Sequence, residues 1–253
     1  ILKKYSKKYE IDFLSSPFDL KSAEFLNILN LKYFKIPSGE ITNFPLLKKI
    51  SKFNKNIILS TGMSTIQEIR EALNIIRNNN IFKKKIILLH CTSSYPTEYD
   101  DVNLKTMLSL KKIFRNYNIQ IGLSDHSKGS EAAIAATAFG ANFIEKHFTL
   151  DKKLPGPDHK ASLDPKEFFD FVKSIRNTEK LLISKNKKIT KSELENISLV
   201  RKSIVASKKI NKGDLFSELN LTLKRPSKGL HPKFWEKLIG KKAKKNYRAD
   251  DFI

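Results

Sequence analysis

Six short apolar runs recur along the chain, and each one ends in polar residues. They are IDFLSS (11–16), YFKIPS (33–38), IILST (57–61), IILLHC (86–91), QIGLSD (120–125) and FIEKHF (143–148). Amphipathic helical patterns separate them: Leu20 to Leu29, Thr65 to Ile76, Leu104 to Phe114 and an Ala-rich stretch from Ser130 to Phe139. Ser64 reads as the N-cap of the second helix, with Gln67 at the reciprocal capping-box position. Strand–helix units repeating every roughly 20–35 residues predict a parallel sheet with crossover helices. No glycine-rich dinucleotide fingerprint follows a strand, which weakens an open doubly wound sheet against a closed barrel. A barrel puts its active site at the carboxyl ends of its strands. Six runs ending alike in Ser15–Ser16, Ser38–Gly39–Glu40, Ser60–Thr61, His90 to Ser94, Ser124 to His126 and Lys146–His147 are hard to explain as six surface turns. A barrel needs eight strands, so about two further units, on the order of 60–90 residues, are expected upstream of Ile1.

The pattern changes after the sixth run. A Pro-rich loop, DKKLPGPDHKASLDP (151–165), leads into a helix from Pro165 to about Leu182 with Asp164 as its N-cap. The expected division is a barrel domain over 1–183, a Lys-rich linker over 184–194 and a small, mostly β domain over 195–253. A domain of about 60 residues is marginal alone and calls for a packing partner.

The net charge of +22 first brings nucleic acid to mind. The excess is mostly Lys scattered over every segment, with no basic stripe interleaved with aromatics and no zinc-finger or RNP-type motif. Nucleic acid is therefore not an expected partner, and an anionic small molecule is. No run is long enough to span a bilayer and no leader pattern is seen, so neither membrane nor export is expected. The single cysteine, Cys91, suits a reducing, cytoplasmic setting and reads as structural, because nothing marks a base or oxyanion hole beside it.

His126 and His147 stand at the ends of adjacent expected strands, close enough to bind one cation. Neutral imidazoles suit Mn, Zn or Fe. The competing reading makes His126 a helix cap and His147 a core histidine, and the residues alone leave the two level. Lys35 points from an apolar strand and asks for an anion, unless it snorkels to water. Ser38 and Gly39 offer a hydroxyl and a backbone N–H to phosphate, and Ser16, Ser60, Ser93, Ser94 and Ser124 add hydroxyls along the same rim. Together they outline a pocket for an anion with many oxygens.

The motifs KIPSGEITN, IILSTGM, LLHCTSSYP, IGLSDHS, IEKHFTLDKKLPGPDHKAS and the late VAS…KGD…LTLKRP resemble the sialic acid synthase family, from FLSSPFD to the C-terminus. The resemblance implies a TIM barrel followed by an antifreeze-like (SAF) domain. It implies a homodimer in which the small domain of one chain caps the barrel of the other. The reaction implied is condensation of phosphoenolpyruvate with N-acetylmannosamine or a related amino-sugar, giving a nonulosonic acid and phosphate. The resemblance places a divalent metal, Mn with Mg or Co as alternatives, on His126 and His147. It gives phosphoenolpyruvate to Ser16, Lys35, Ser38, Ser60, Ser124 and Ser93, where relatives often carry Asn. Glu40, Phe18, Tyr95 and Asp158 fall on the sugar side, Glu40 as the candidate proton acceptor. Arg225 would reach the sugar's acyl group across the dimer. A glutamate and a lysine of the family's N-terminal portion are not in this chain, so part of the site is expected to be missing. LPGPDHKAS looks more like neuraminate and legionaminate synthases than pseudaminate synthases. A metal-dependent barrel hydrolase and an inactive truncated remnant are the alternatives. An ice-binding role for 195–253 is disfavoured by its scattered lysines.

Overall fold

The computed structural model describes residues 1–79, 84–183 and 186–253. Two compact units divide the chain, residues 1–183 and 184–253.

The first unit opens with helices α1 (Leu2–Lys8) and α2 (Leu20–Ile28). It then alternates β1 (Tyr33–Ile36), α3 (Phe44–Ser51), β2 (Asn56–Ser60), α4 (Ile66–Asn79), β3 (Ile86–Cys91), α5 (Tyr99–Val102), α6 (Lys105–Ile113), β4 (Ile119–Asp125), α7 (Glu131–Ala138), β5 (Phe143–Lys146) and α8 (Pro165–Leu181). The five strands form one parallel sheet in chain order. The runs of β2, β3 and β4 are largely buried on both faces, whereas β5 is half-buried. One face sends Phe34, Ile36, Ile57, Leu59, Ile86, Leu88, Ile121 and Leu123 against α3, α4, α6 and α7. The other gathers Ile58, Ile87 and Leu89 with Tyr33 and Phe143.

That second cluster shows how strongly the sheet curls. Neighbouring strands lie about 4.8 Å apart, so β1 and β5 would be about 19 Å apart in a flat sheet. Yet the rings of Tyr33 on β1 and Phe143 on β5 are 6.1 Å apart, centre to centre. Only a sheet bent into part of a barrel brings its two edges that close, and its concave side is the barrel interior. Gly122 permits the tight approach of β4 to β5: a Cβ there would sit 2.4 Å from the Phe143 carbonyl oxygen and 2.6 Å from Leu89 Cδ2. Because the first of these is a backbone atom, Gly122→Ala should lower the unfolding free energy by about 1–3 kcal/mol, as urea titration would show.

Three expectations are corrected. Residues 11–16 form no strand, and β1 is an edge of the sheet. An alternating run becomes a strand only where a neighbour offers a ladder in register; here Phe13 packs on the core while Ile11 and Leu14 stay exposed. The capping box of α4 is Thr65 and Glu68, one residue beyond Ser64 and Gln67. Thr65 Oγ1 accepts from the Glu68 N–H at 3.2 Å, and Glu68 Oε2 accepts from the Thr65 N–H at 2.7 Å. Ser64 is taken by its own turn, donating to the Gly62 carbonyl. Third, helix α9 (Lys191–Val200) lies across the expected end of the linker at 194, where little helix was anticipated. Thr190 and Glu193 start it with a full capping box. Asp164 caps α8 as expected, with Glu167 as its reciprocal partner.

The second unit, beyond α9, contains the antiparallel pair β6 (Ser203–Ala206) and β7 (Leu221–Lys224) and the short helix α10 (Trp235–Leu238). Its core is Ile204, Ala206, Ile210, Phe216, Leu221, Ala243 and Tyr247. No helix among the described residues is long and apolar enough to cross a membrane.

Candidate active site at the carboxyl ends of the strands

A cleft of about 380 Å³ opens at the carboxyl ends of the strands. Period-two alternation decides who lines it: Lys35 on β1, Ser60 on β2, Cys91 on β3, Ser124 on β4 and Glu145 on β5 share the concave face. The loops that follow add Ser38, Ser93, Tyr95, His126 and His147. A larger cavity, about 1030 Å³, borders the cleft through Glu145 but is lined mainly by apolar groups such as Phe13, Phe143 and Phe168, and it contains neither histidine.

Lys35 is nearly buried, and its Nζ donates to Glu145 Oε1 at 2.9 Å across the curl of the sheet. Ser124 Oγ donates to the same oxygen at 2.6 Å. Burial pushes the Glu145 carboxyl upward, but the Lys35 charge and the Ser124 hydroxyl outweigh it and hold the group below the usual carboxylate range. Ser60 Oγ is buried and has no hydrogen-bond partner among the described residues. A buried orphaned hydroxyl on the wall of a cleft is a place where a polar ligand gains and the free protein loses.

Gly62 lets this wall close. Its N–H donates to Ser38 Oγ at 2.9 Å, and a Cβ there would lie 2.3 Å from Ser93 Oγ and 2.9 Å from Ser38 Oγ. Gly62→Ala should therefore rotate both hydroxyls out of place. We expect affinity for a phosphate-bearing anion, measured calorimetrically with inorganic phosphate as the probe, to fall about tenfold, the equivalent of about one hydrogen bond to a charged group.

The two histidines converge. Their ring centres are 5.2 Å apart and nearly perpendicular, with Tyr95 lying 4.3 Å from His126 and 5.3 Å from His147. His126 Nδ1 faces the Thr92 carbonyl at 2.8 Å, which assigns the proton to Nδ1 and leaves a lone pair on Nε2. Burial lowers the affinity of His126 for a second proton, but the contact with Cys91 and the Thr92 carbonyl raise it more, and it ends above the ordinary range. His147 goes the other way, pushed down by burial and by His126, with partial relief from Asp158, whose Oδ2 lies 3.8 Å from Nδ1. Burial pushes the Cys91 thiol up, yet His126 draws it below its usual value. An imidazole whose Nδ1–H is held by a carbonyl and whose Nε2 keeps its lone pair is how proteins present a histidine to a metal; in His126 that Nε2 lies 3.4 Å from Ser124 Oγ. His126, with the His147 ring converging on it, suits a divalent transition metal completed by water or substrate oxygens. Among the described residues, no three or more His, Cys, Asp or Glu side chains are gathered closely enough to hold one by themselves.

The other sequence candidates lie elsewhere. Ser16 and Phe18 sit in the coil before α2, with Phe18 exposed, and neither lines the cleft. Glu40 is on a 3₁₀ turn after β1, where Oε2 accepts from Asn43 Nδ2 at 2.7 Å. Asp158 is on the turn beside His147. Arg225 follows β7 in the second unit, exposed. Sequence reasoning missed Glu145. The signal was there: it stands two residues before His147, on the same face of a period-two run.

The sheet and the cleft at its carboxyl ends define a (β/α)-barrel enzyme of the kind that receives an oxygen-rich anion. The model of the NeuB family matches residues 1–187 and that of the SAF domain residues 201–253. The chain belongs to the NeuB family. It is 53% identical over 249 residues to the N,N'-diacetyllegionaminic acid synthase of Campylobacter jejuni, covering 98% of this chain and 74% of that protein. It is 41% identical over 251 residues to the enzyme of the same name from Legionella pneumophila, covering 98% and 70%. Among solved structures, the N-acetylneuraminic acid (sialic acid) synthetase of Leptospira borgpetersenii, in complex with citrate, aligns with a TM-score of 0.70 and 38% identity, covering 78% of this chain and 67% of that one.

Proposed function

We propose that this chain condenses phosphoenolpyruvate with an N-acetylated amino-sugar, of the diacetamido type named by its C. jejuni and L. pneumophila relatives, to a nonulosonic acid with release of phosphate. The observation that carries this reading is the cleft wall. A buried lysine, an orphaned buried hydroxyl and further serines face two convergent imidazoles across a single 380 Å³ space.

In this reading Lys35, Ser38, Ser60, Ser93 and Ser124 hold the anionic groups of phosphoenolpyruvate. Lys35 exchanges its bond to Glu145 for one to the substrate. The methylene carbon of phosphoenolpyruvate forms a bond to the sugar's aldehyde carbon, whose oxygen takes up a proton; water adds to the enol carbon and gives up a proton, and the C–O bond to phosphate breaks as the added hydroxyl becomes the keto group. Fixing both reactants in one cleft supplies much of the rate. His126 and His147 would hold a divalent cation, Mn or alternatively Mg or Co, which when bound supplies Lewis acidity to a carbonyl oxygen. Tyr95 and Asp158 flank the imidazoles on the sugar side. Glu40 is the proton acceptor of this proposal, and reaching the cleft requires it to release Asn43. Ser16 on the phosphoenolpyruvate side and Phe18 on the sugar side are the remaining substrate contacts of this proposal.

A homodimer, with the SAF unit of one copy over the barrel of another, brings Arg225 to the sugar. Arg225→Ala should then raise KM for the sugar far more than for phosphoenolpyruvate; equal effects would remove it from the sugar pocket. Cytoplasmic residence belongs to the same proposal, in keeping with one buried cysteine. The deciding experiment supplies phosphoenolpyruvate and Mn²⁺ with N-acetylmannosamine or diacetamido sugars, and follows phosphate and product mass. Phosphate should appear only with a sugar present. Release without sugar would indicate a hydrolase, and no release with any sugar an inactive remnant.

A further inference from the structure

Behind the histidines, on the face of the sheet turned away from the cleft, lies a charged cluster that the chemistry above does not use. Asp125 stands opposite Lys146 in the register of β4 and β5. The alternation that sends Ser124 and Glu145 into the cleft sends these two to the other side. Their side chains are 0% and 1% exposed, and Lys146 Nζ lies 2.8 Å from Asp125 Oδ2. Lys146 also donates to the Ser127 carbonyl. Asp125 Oδ1 accepts from the Ser127 N–H at 2.9 Å and from Ser127 Oγ at 2.6 Å. Each charged residue immediately precedes a histidine. The bonds therefore close around the turn that carries His126 and fasten it to the strand end that carries His147.

Stability is a poor reason for such a pair. Burying two charges costs nearly what their attraction returns, and apolar replacements of similar volume are often neutral or better. Geometry is a better reason. A turn held at both sides of His126 and bolted to the neighbouring strand fixes where one imidazole stands relative to the other.

We propose that Asp125 and Lys146 are positioning residues, a buried clamp that sets the separation of the His126 and His147 rings and hence their joint affinity for one divalent cation. The inference rests on the cation reading of the two histidines. The test compares the parent chain, His147→Ala and the double variant Asp125→Leu with Lys146→Met, which leaves no charge stranded. Thermal unfolding reports the fold, and electron paramagnetic resonance of free aqueous Mn²⁺ reports binding. The double variant should unfold within a few degrees of the parent yet bind Mn²⁺ about 10–100-fold more weakly, the range for outer-shell partners of metal-bound histidines. Should the double variant not fold, Asp125→Asn repeats the test, keeping the side chain's shape while weakening the tie to Lys146. Parental Mn²⁺ affinity in a folded clamp variant, with binding lost in His147→Ala, would overturn the clamp alone. A parent that takes up no Mn²⁺ would overturn the cation reading and the clamp's purpose with it. Unfolding of both clamp variants would make the pair a requirement of the fold and would equally refute positioning.

Discussion

Replacing His147 with alanine is expected to abolish product formation and to weaken Mn²⁺ binding by more than about 100-fold. Outer-shell partners of a metal-bound histidine are already worth about 10–100-fold, so loss of a ligand should exceed that range. The geometry makes His147 a good ligand at neutral pH. Burial and the neighbouring His126 both disfavour its protonated form, so one ring nitrogen keeps a lone pair available. Its ring is held near its partner's at 5.2 Å. Retained metal-dependent turnover in the alanine variant would sink the assignment.

Lys35→Met carries the second large effect. The side chain is 10% exposed and its amine reaches Glu145 through a 2.9 Å contact. Methionine keeps the stem and its packing but removes the charge. Losing one partner of a buried, hydrogen-bonded charge pair costs about 2–5 kcal/mol in binding, and even the low end is about 30-fold in affinity for phosphoenolpyruvate. Glu145 would also lose the cation that holds its carboxyl low, so its proton uptake should move upward. Affinity for the sugar should change much less. Calorimetric titration with each substrate separates the two, and an unaltered phosphoenolpyruvate affinity would remove Lys35 from the anion pocket.

How much of this was legible in the sequence follows from what each signal depends on. Strands β1 to β5 could be read because their apolar runs are continuous and their ends polar, a pattern set by burial on two faces. The cleft residues Ser60, Ser124 and His126 followed from strand ends, and Lys35 from a charge set in an apolar strand. Residues 11–16 carry the same local pattern but no ladder, and whether a neighbour is in register is not a local property. The cap of α4 slipped by one residue because Ser64–Thr65 and Gln67–Glu68 are two adjacent, equally suitable pairs. Helix α9 hid in a Lys-rich stretch, whose composition reads as linker until Thr190 and Glu193 are paired. Glu145 joins the cleft through Lys35 and Ser124, contacts made by the curl of the sheet and by strand pairing, and neither is a local property of FIEKHF.

The ion pair across the curled sheet has a temporal side. Lys35 and Glu145 are 110 residues apart in the chain, on the first and last strands of the sheet. Contacts that distant form late, after nearer pairings have repaid the entropy of closing the loop between them. A ribosome-bound fragment ending before Phe143 therefore holds the lysine and every serine of the cleft but neither Glu145 nor His147, so the wall facing Lys35 is completed only when the fifth strand arrives.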